Sequence, residues 1–237
     1  MFPEVLDKAG WDVCAALSKS KLARMYYLAG GTALALQINH RKSYDLDFFR
    51  IGVHERINFN AIAGELKKLF REEDINIVLK KSDQTIIDVR GTKVTFLAYP
   101  FPLLEMLIPG KQISVELSGL MLASPPEIAL MKAYAIGRRT TFRDYLDLYA
   151  LLKNGLVTLK YIMEKGPKKF VIAGETVFSP KLFLEQLVYT NDIEDKEAAI
   201  ATLCEERVSS DQIEEFFRRQ VKRALEEHVT DQRGIER

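Results

Sequence analysis

A short apolar run, Met25 to Ala29, stops at Gly30-Gly31, and behind the glycines come Ala33, Leu34, Ala35, Leu36 and Gln37, all good helix formers. A run of that length closed by glycine reads as a buried strand that turns at once into a helix. Thr32 is the expected N-cap of that helix. A strand feeding a helix in this way points to a sheet with packed helices, an α/β or α+β arrangement.

The flanking pattern agrees. Pro3 to Ser18 has apolar residues at helical spacing, and Asn60 to Arg71 is amphipathic. Tyr44 to Arg50, Ile75 to Leu79, Thr85 to Arg90 and Lys93 to Tyr99 predict strands, the last two joined near Gly91-Thr92, and Gln112 to Leu117 predicts an edge strand. From Ser124 onward helices are expected alone. Ser124-Pro125-Pro126-Glu127 and Thr141-Phe142-Arg143-Asp144 have the form of capping boxes, the first helix running to Arg138 and the second closed by Asn154-Gly155. Ser179-Pro180 and Ser209-Ser210-Asp211-Gln212 open two more, and Ile213, Phe217, Val221 and Leu225 form one stripe on the last. The chain thus divides into residues 1–120, with a mixed sheet, and a helical part over 121–237.

Charge narrows the function. Thirty-four Lys and Arg against 33 Asp and Glu leave a net charge of +1, so contact with a polyanion requires a local patch. No apolar run is long enough to span a membrane and the N-terminus lacks a signal-peptide layout, so a cytoplasmic protein without membrane contact is expected. Cys14 and Cys204 lack neighbours at metal-ligand spacing and read as buried thiols.

The chemistry lies close to the glycine corner. Along a strand, Ser43, Asp45 and Asp47 project from one face while Leu46 and Phe48 turn to the other. Two neighbouring carboxylates repel unless a cation lies between them, and hard oxygen ligands of this type suit Mg²⁺. Glycines at a helix start offer bare amides and the positive end of the helix dipole, which favour a phosphate. Metal beside phosphate is the requirement of phosphoryl or nucleotidyl transfer.

In these residues the chain resembles the AbiEii/AbiGii toxin nucleotidyltransferases, relatives of the MenT toxins within the DNA polymerase β-like superfamily. The resemblance is carried by the segment Leu28 to Leu36, by Arg41 to Phe49, by Lys132 to Ile136 with Arg139, and by Arg143 to Leu148. It implies an α+β (α/β-type) nucleotidyltransferase fold, with the helical C-terminal part completing the active-site cleft. It further implies that Asp45 and Asp47 bind Mg²⁺ and that Gly30, Gly31 and Ser43, at the corner that includes Thr32, hold nucleotide phosphates. Lys132 would meet the triphosphate of an NTP, and Asp144, with Asp147 as its neighbour or substitute, would be the further catalytic carboxylate. Arg139 and Arg143, with Arg138, concentrate positive charge suited to a polyphosphate. The implied activity is transfer of an NMP to a tRNA 3′ end or a protein hydroxyl, by the toxin of a type IV toxin–antitoxin or phage-defence pair with a cognate antitoxin.

The strand Lys93 to Tyr99 lacks the third carboxylate that many of these enzymes carry, leaving Asp88, Glu116 or Asp144 as candidates. A small-molecule nucleotidyltransferase of the aminoglycoside-modifying type, and a regulator that keeps the fold without the chemistry, stand as alternatives. Arg218, Arg219, Lys222 and Arg223 lie on one flank of the last helix, where nearby Glu214, Glu215, Glu226 and Glu227 offset much of their charge. His40, His54 and His228 have no assigned role.

Overall fold

The computed structural model describes residues 2–204 and 207–235, with side chains through 226 apart from residues 205–206, so the side chains of Glu227 and His228 lie outside what is described. It forms two compact units, 1–128 and 129–237.

In the first unit, α1 (Lys8–Ser18) leads to β1 (Tyr26–Ala29), which runs directly into α2 (Gly30–Ile38) and then β2 (Asp45–Arg50). There follow α3 (Phe59–Leu69), β3 (Ile75–Lys80), β4 (Gln84–Val89), β5 (Thr92–Leu97), β6 (Ile108–Pro109) and β7 (Met121–Leu122). They make a seven-stranded mixed sheet in the order β3-β4-β5-β2-β1-β7-β6. β2 runs antiparallel to β1 and parallel to β5, and β1 runs parallel to β7. Helices α1 and α2 pack on this central part, while α3 meets β3.

Alternation explains the packing. Leu46 and Phe48 are buried while Asp45 and Asp47 keep partial exposure, so one face of β2 serves the core and the other is polar. Phe48 stacks on Phe96 at 5.3 Å, and Tyr26 meets Phe96 edge-on at 5.1 Å, aromatic pairs worth about 0.5–1.5 kcal/mol each beyond their burial. The β4–β5 hairpin turns through Arg90 and Gly91 at φ of 55° and 80°, a pair of positive values that glycine accommodates and that matches strand twist. Burial pushes the Cys14 thiol up to about 12, whereas Cys204 is only half-buried, contrary to the expectation for that residue.

The second unit takes in the end of α4 (Pro125–Ala135), then α5 (Phe142–Lys153), α6 (Leu159–Lys169), α7 (Pro180–Val188), α8 (Lys196–Ile200) and α9 (Ser210–Ile235). A small hairpin, β8 (Val171–Ile172) with β9 (Glu175–Thr176), interrupts the helices, so the strands do not end at Ser124 as expected. Its residues are exposed and too few to leave an alternating apolar pattern. Tyr145 lies between Phe142, stacked at 5.7 Å, and Phe217, edge-on at 6.0 Å, and ties α5 to α9. Ile213, Phe217 and Val221 bury the α9 stripe, but Leu225 is 51% exposed, because the packed length of α9 ends before it.

Three further local expectations fail, the first for a local reason and the two capping boxes because a partner far along the chain intervenes. Gln112 to Leu117 forms two 3-10 turns rather than an edge strand, since Ser114 caps the Glu116 amide and Val115 points to solvent. Neither predicted capping box closes. Glu127 accepts from the amides of Leu104 and Glu105, both at 3.2 Å, and the buried Ser124 hydroxyl finds no partner. At α5 the cap comes from Asp195, which accepts from the Phe142 amide at 2.8 Å and the Thr141 hydroxyl at 2.9 Å.

Candidate active site

The strand-to-helix corner carries the first group of polar residues. Ala29 lies opposite Asp47 in the β1–β2 ladder, so the carboxylate of Asp47 falls beside the next residue, Gly30. A Cβ on Gly30 would stand 2.8 Å from Asp47 Oδ2, and Gly30 has φ of +66°. Both facts require glycine: a side chain would strain the backbone and push the carboxylate aside. Gly30→Ala is therefore expected to cost roughly 1–3 kcal/mol in backbone strain and to displace Asp47. Thermal melting and transfer rates would check this, and unchanged values for both would count against the geometry.

The sequence places Thr32 at the helix cap, but the N-cap is Ala29, whose side chain cannot bond the first amides of α2. Those amides have no partners within the helix, an arrangement that favours an anion. Thr32 lies inside the first turn, 2% exposed. Its hydroxyl is 2.6 Å from Ser43 Oγ and also donates to the Asp45 carbonyl. The Ser43 amide in turn donates to Val5 O at 2.9 Å. Thr32 and Ser43 thus act as a buried latch between the glycine corner and the aspartate strand.

Asp45 and Asp47 share the polar face of β2. Lys93 on the adjacent β5 brings its Nζ to 3.7 Å from Asp45 Oδ2, with the two side chains 50% and 38% exposed. Nothing in the local sequence singles out Lys93; only the parallel β2–β5 register places it opposite Asp45. Asp88 uses Oδ1 to accept from the Gly91 amide at 2.9 Å, and Glu116 accepts from the Ser114 hydroxyl. Among the described residues no three acidic, His or Cys side chains gather as a metal cluster. A pair of carboxylate oxygens still fits Mg²⁺, which keeps several waters and shares substrate phosphates instead of needing a full protein cage.

Lys132, Arg139, Asp144 and Asp147 form a second group, within the helical unit. Lys132 is 6% exposed and lies between Asp144, at 2.8 Å, and Asp147; these are 1% and 0% exposed. Arg139 forks onto Asp144 from the other side at 2.6 and 2.7 Å, while remaining 60% exposed. Burial pushes Asp144 upward, but the Lys132 and Arg139 charges outweigh it and hold the carboxyl below the usual carboxylate range. Arg143 stands outside this network among the described residues, and Arg138 packs over Tyr134 at 3.8 Å and donates to Val177 O at 2.7 Å.

Two solved structures share the fold. MenT4, a nucleotidyltransferase toxin from Mycobacterium tuberculosis, aligns with a TM-score of 0.53 at 14% identity over 90% of this chain and 84% of that one. JHP933 from Helicobacter pylori aligns at 0.50 with 17% identity over 95% and 94%. The mixed sheet with its strand–glycine–helix corner is thus a nucleotidyltransferase fold. Residues 11–233 match the family described as nucleotidyl transferase AbiEii toxin, type IV TA system. The uncharacterized protein aq_aa25 of Aquifex aeolicus is 34% identical over 202 residues, 85% of this chain and 88% of that protein. The chain belongs to the AbiEii nucleotidyltransferase toxin family, and the enzyme class is nucleotidyltransferase. No helix among the described residues is long and apolar enough to cross a membrane.

Proposed function

We propose that this enzyme moves a nucleoside monophosphate from an NTP to the hydroxyl of a tRNA 3′ end or a protein, as the toxin of a type IV toxin–antitoxin or phage-defence pair. The observation that carries the proposal is the Asp47 carboxylate lying against Gly30 at an uncapped helix start, with Asp45 on the same face. An anion site and a cation site then adjoin.

In the reaction an acceptor oxygen forms a bond to the α-phosphorus, the α–β bridging P–O bond breaks, pyrophosphate leaves, and the hydroxyl proton passes to water. Asp45 and Asp47 would hold Mg²⁺, which when bound neutralises charge building on the attacking and leaving oxygens. The α2 amides at Gly30 and Gly31 receive the phosphates. Thr32 and Ser43 keep the corner and the strand in register, so that Ser43 acts by positioning. Asp144 stays ionised beside Lys132 and positions Arg139, whose exposed guanidinium face suits a phosphate, with Arg143 as a further cation. A cytoplasmic setting supplies NTP, Mg²⁺, tRNA and an antitoxin partner together.

Incubation with each radiolabelled NTP, Mg²⁺ and total RNA, or with cell protein, is expected to label one acceptor class, with label lost in Asp45→Asn. Absence of label with all four NTPs, beside an active control enzyme, would sink the proposal. Induced expression should arrest growth, whereas protection against an aminoglycoside would indicate a small-molecule acceptor instead.

A further inference from the structure

Strand β5 carries an unassigned charge at the aspartate strand. It pairs Lys93 with Asp45 and Thr95 with Asp47 on one side, and Lys93 with Asp88 on the other. Residues directly paired across strands share a face, so Asp88, Lys93 and Asp45 form one lateral row with the ammonium in the middle. Asp88 is turned to the Gly91 amide. The positions of β5 opposite the two aspartates are therefore filled by a cation and a hydroxyl. A second divalent ion there would meet the charge of Lys93 instead of a ligand.

We infer that Lys93 takes the place of a second divalent ion in the transfer reaction. It neutralises Asp45 while no metal is bound and turns to the nucleotide phosphates once a metal takes over Asp45, so the site works with one divalent ion. This deepens the proposed function and rests on Asp45 and Asp47 as metal ligands. The geometry suits an exchange. A half-exposed pair at 3.7 Å is loose, and pairs of this type hold weakly, so a divalent ion displaces the ammonium readily. Lysine carries its charge on a flexible stem with three donors and can follow the anion that replaces its first partner. One divalent ion is offset by the two aspartates, so the triphosphate draws its compensation from side-chain cations, and the released ammonium supplies one beside the metal.

The test is Mn²⁺ binding by electron paramagnetic resonance on the full chain, with and without the α,β-methylene analogues of the four NTPs. Wild type is expected to hold one Mn²⁺ per bound nucleotide. Lys93→Met should bind Mn²⁺ alone about two- to fivefold more tightly, since the competing charge is gone, and the nucleotide analogue more weakly by a similar factor. Lys93→Glu, which offers a third carboxylate, should raise the count to two Mn²⁺ per nucleotide. Two ions in wild type, or unchanged Mn²⁺ and nucleotide affinities in Lys93→Met, overturn the inference. Asp45→Asn separates the two levels. If it leaves Mn²⁺ binding intact, the metal assignment falls and the inference with it; if it abolishes binding while Lys93→Met changes nothing, only the role of Lys93 falls.

Discussion

Asp47→Asn is expected to slow nucleotidyl transfer by roughly a hundredfold to a thousandfold, about 3–4 kcal/mol of lost transition-state stabilisation. The substitution keeps the shape of the side chain and its place beside Gly30 but removes the charge that would hold a divalent ion. Folding should change little, because Asp47 sits on the partly exposed face of β2 while the burial that holds the strand comes from Leu46 and Phe48. Single-turnover pyrophosphate release beside a melting curve checks both halves. A rate within tenfold of wild type in a folded variant would remove Asp47 from the chemistry.

A second substitution is expected to act in the opposite way, on stability first. Lys132→Met leaves Asp144 and Asp147 buried without the ammonium they share, and removing one partner of a buried ionic group costs about 3–5 kcal/mol. For a chain of this size that is a fall in melting temperature of roughly 6–20 °C. The pH dependence follows from the lowered Asp144 carboxyl. A group with a depressed folded value contributes stability that is fully present above the unfolded value of about 3.9 and is lost as pH falls through the folded value. Wild type should therefore lose this contribution only below about pH 4. In Lys132→Met the burial that pushes Asp144 upward is opposed by Arg139 alone, so the deficit relative to wild type should be widest near pH 8 and narrow toward pH 5. Melting curves of both proteins across that range read the difference directly, and a gap under 2 °C at pH 7.5 would show that the network carries little of the stability.

Much of the corner was legible because its signals are local. An apolar run closed by Gly30-Gly31 and the alternation Asp45-Leu46-Asp47-Phe48 each record, within a few residues, which face is buried. The capping errors share a cause: a side chain whose local option was outcompeted by a partner far along the chain. Thr32 left the cap for Ser43 and the Asp45 carbonyl, Glu127 left its box for the Leu104 and Glu105 amides, and Thr141 ceded its cap to Asp195. Lys93 was invisible for the same reason, since a parallel register is set by the fold and not by spacing. Asp144 has the position of a helix-cap acid, yet its fork with Arg139 and its contact with Lys132 are tertiary.

The sealed position of Cys14 also matters at the bench. With that sulfur buried and held almost entirely as thiol at neutral pH, a maleimide dye has the half-buried Cys204, near the start of α9, as its target. The native chain thereby supplies a one-site handle for fluorescence work without engineered cysteines.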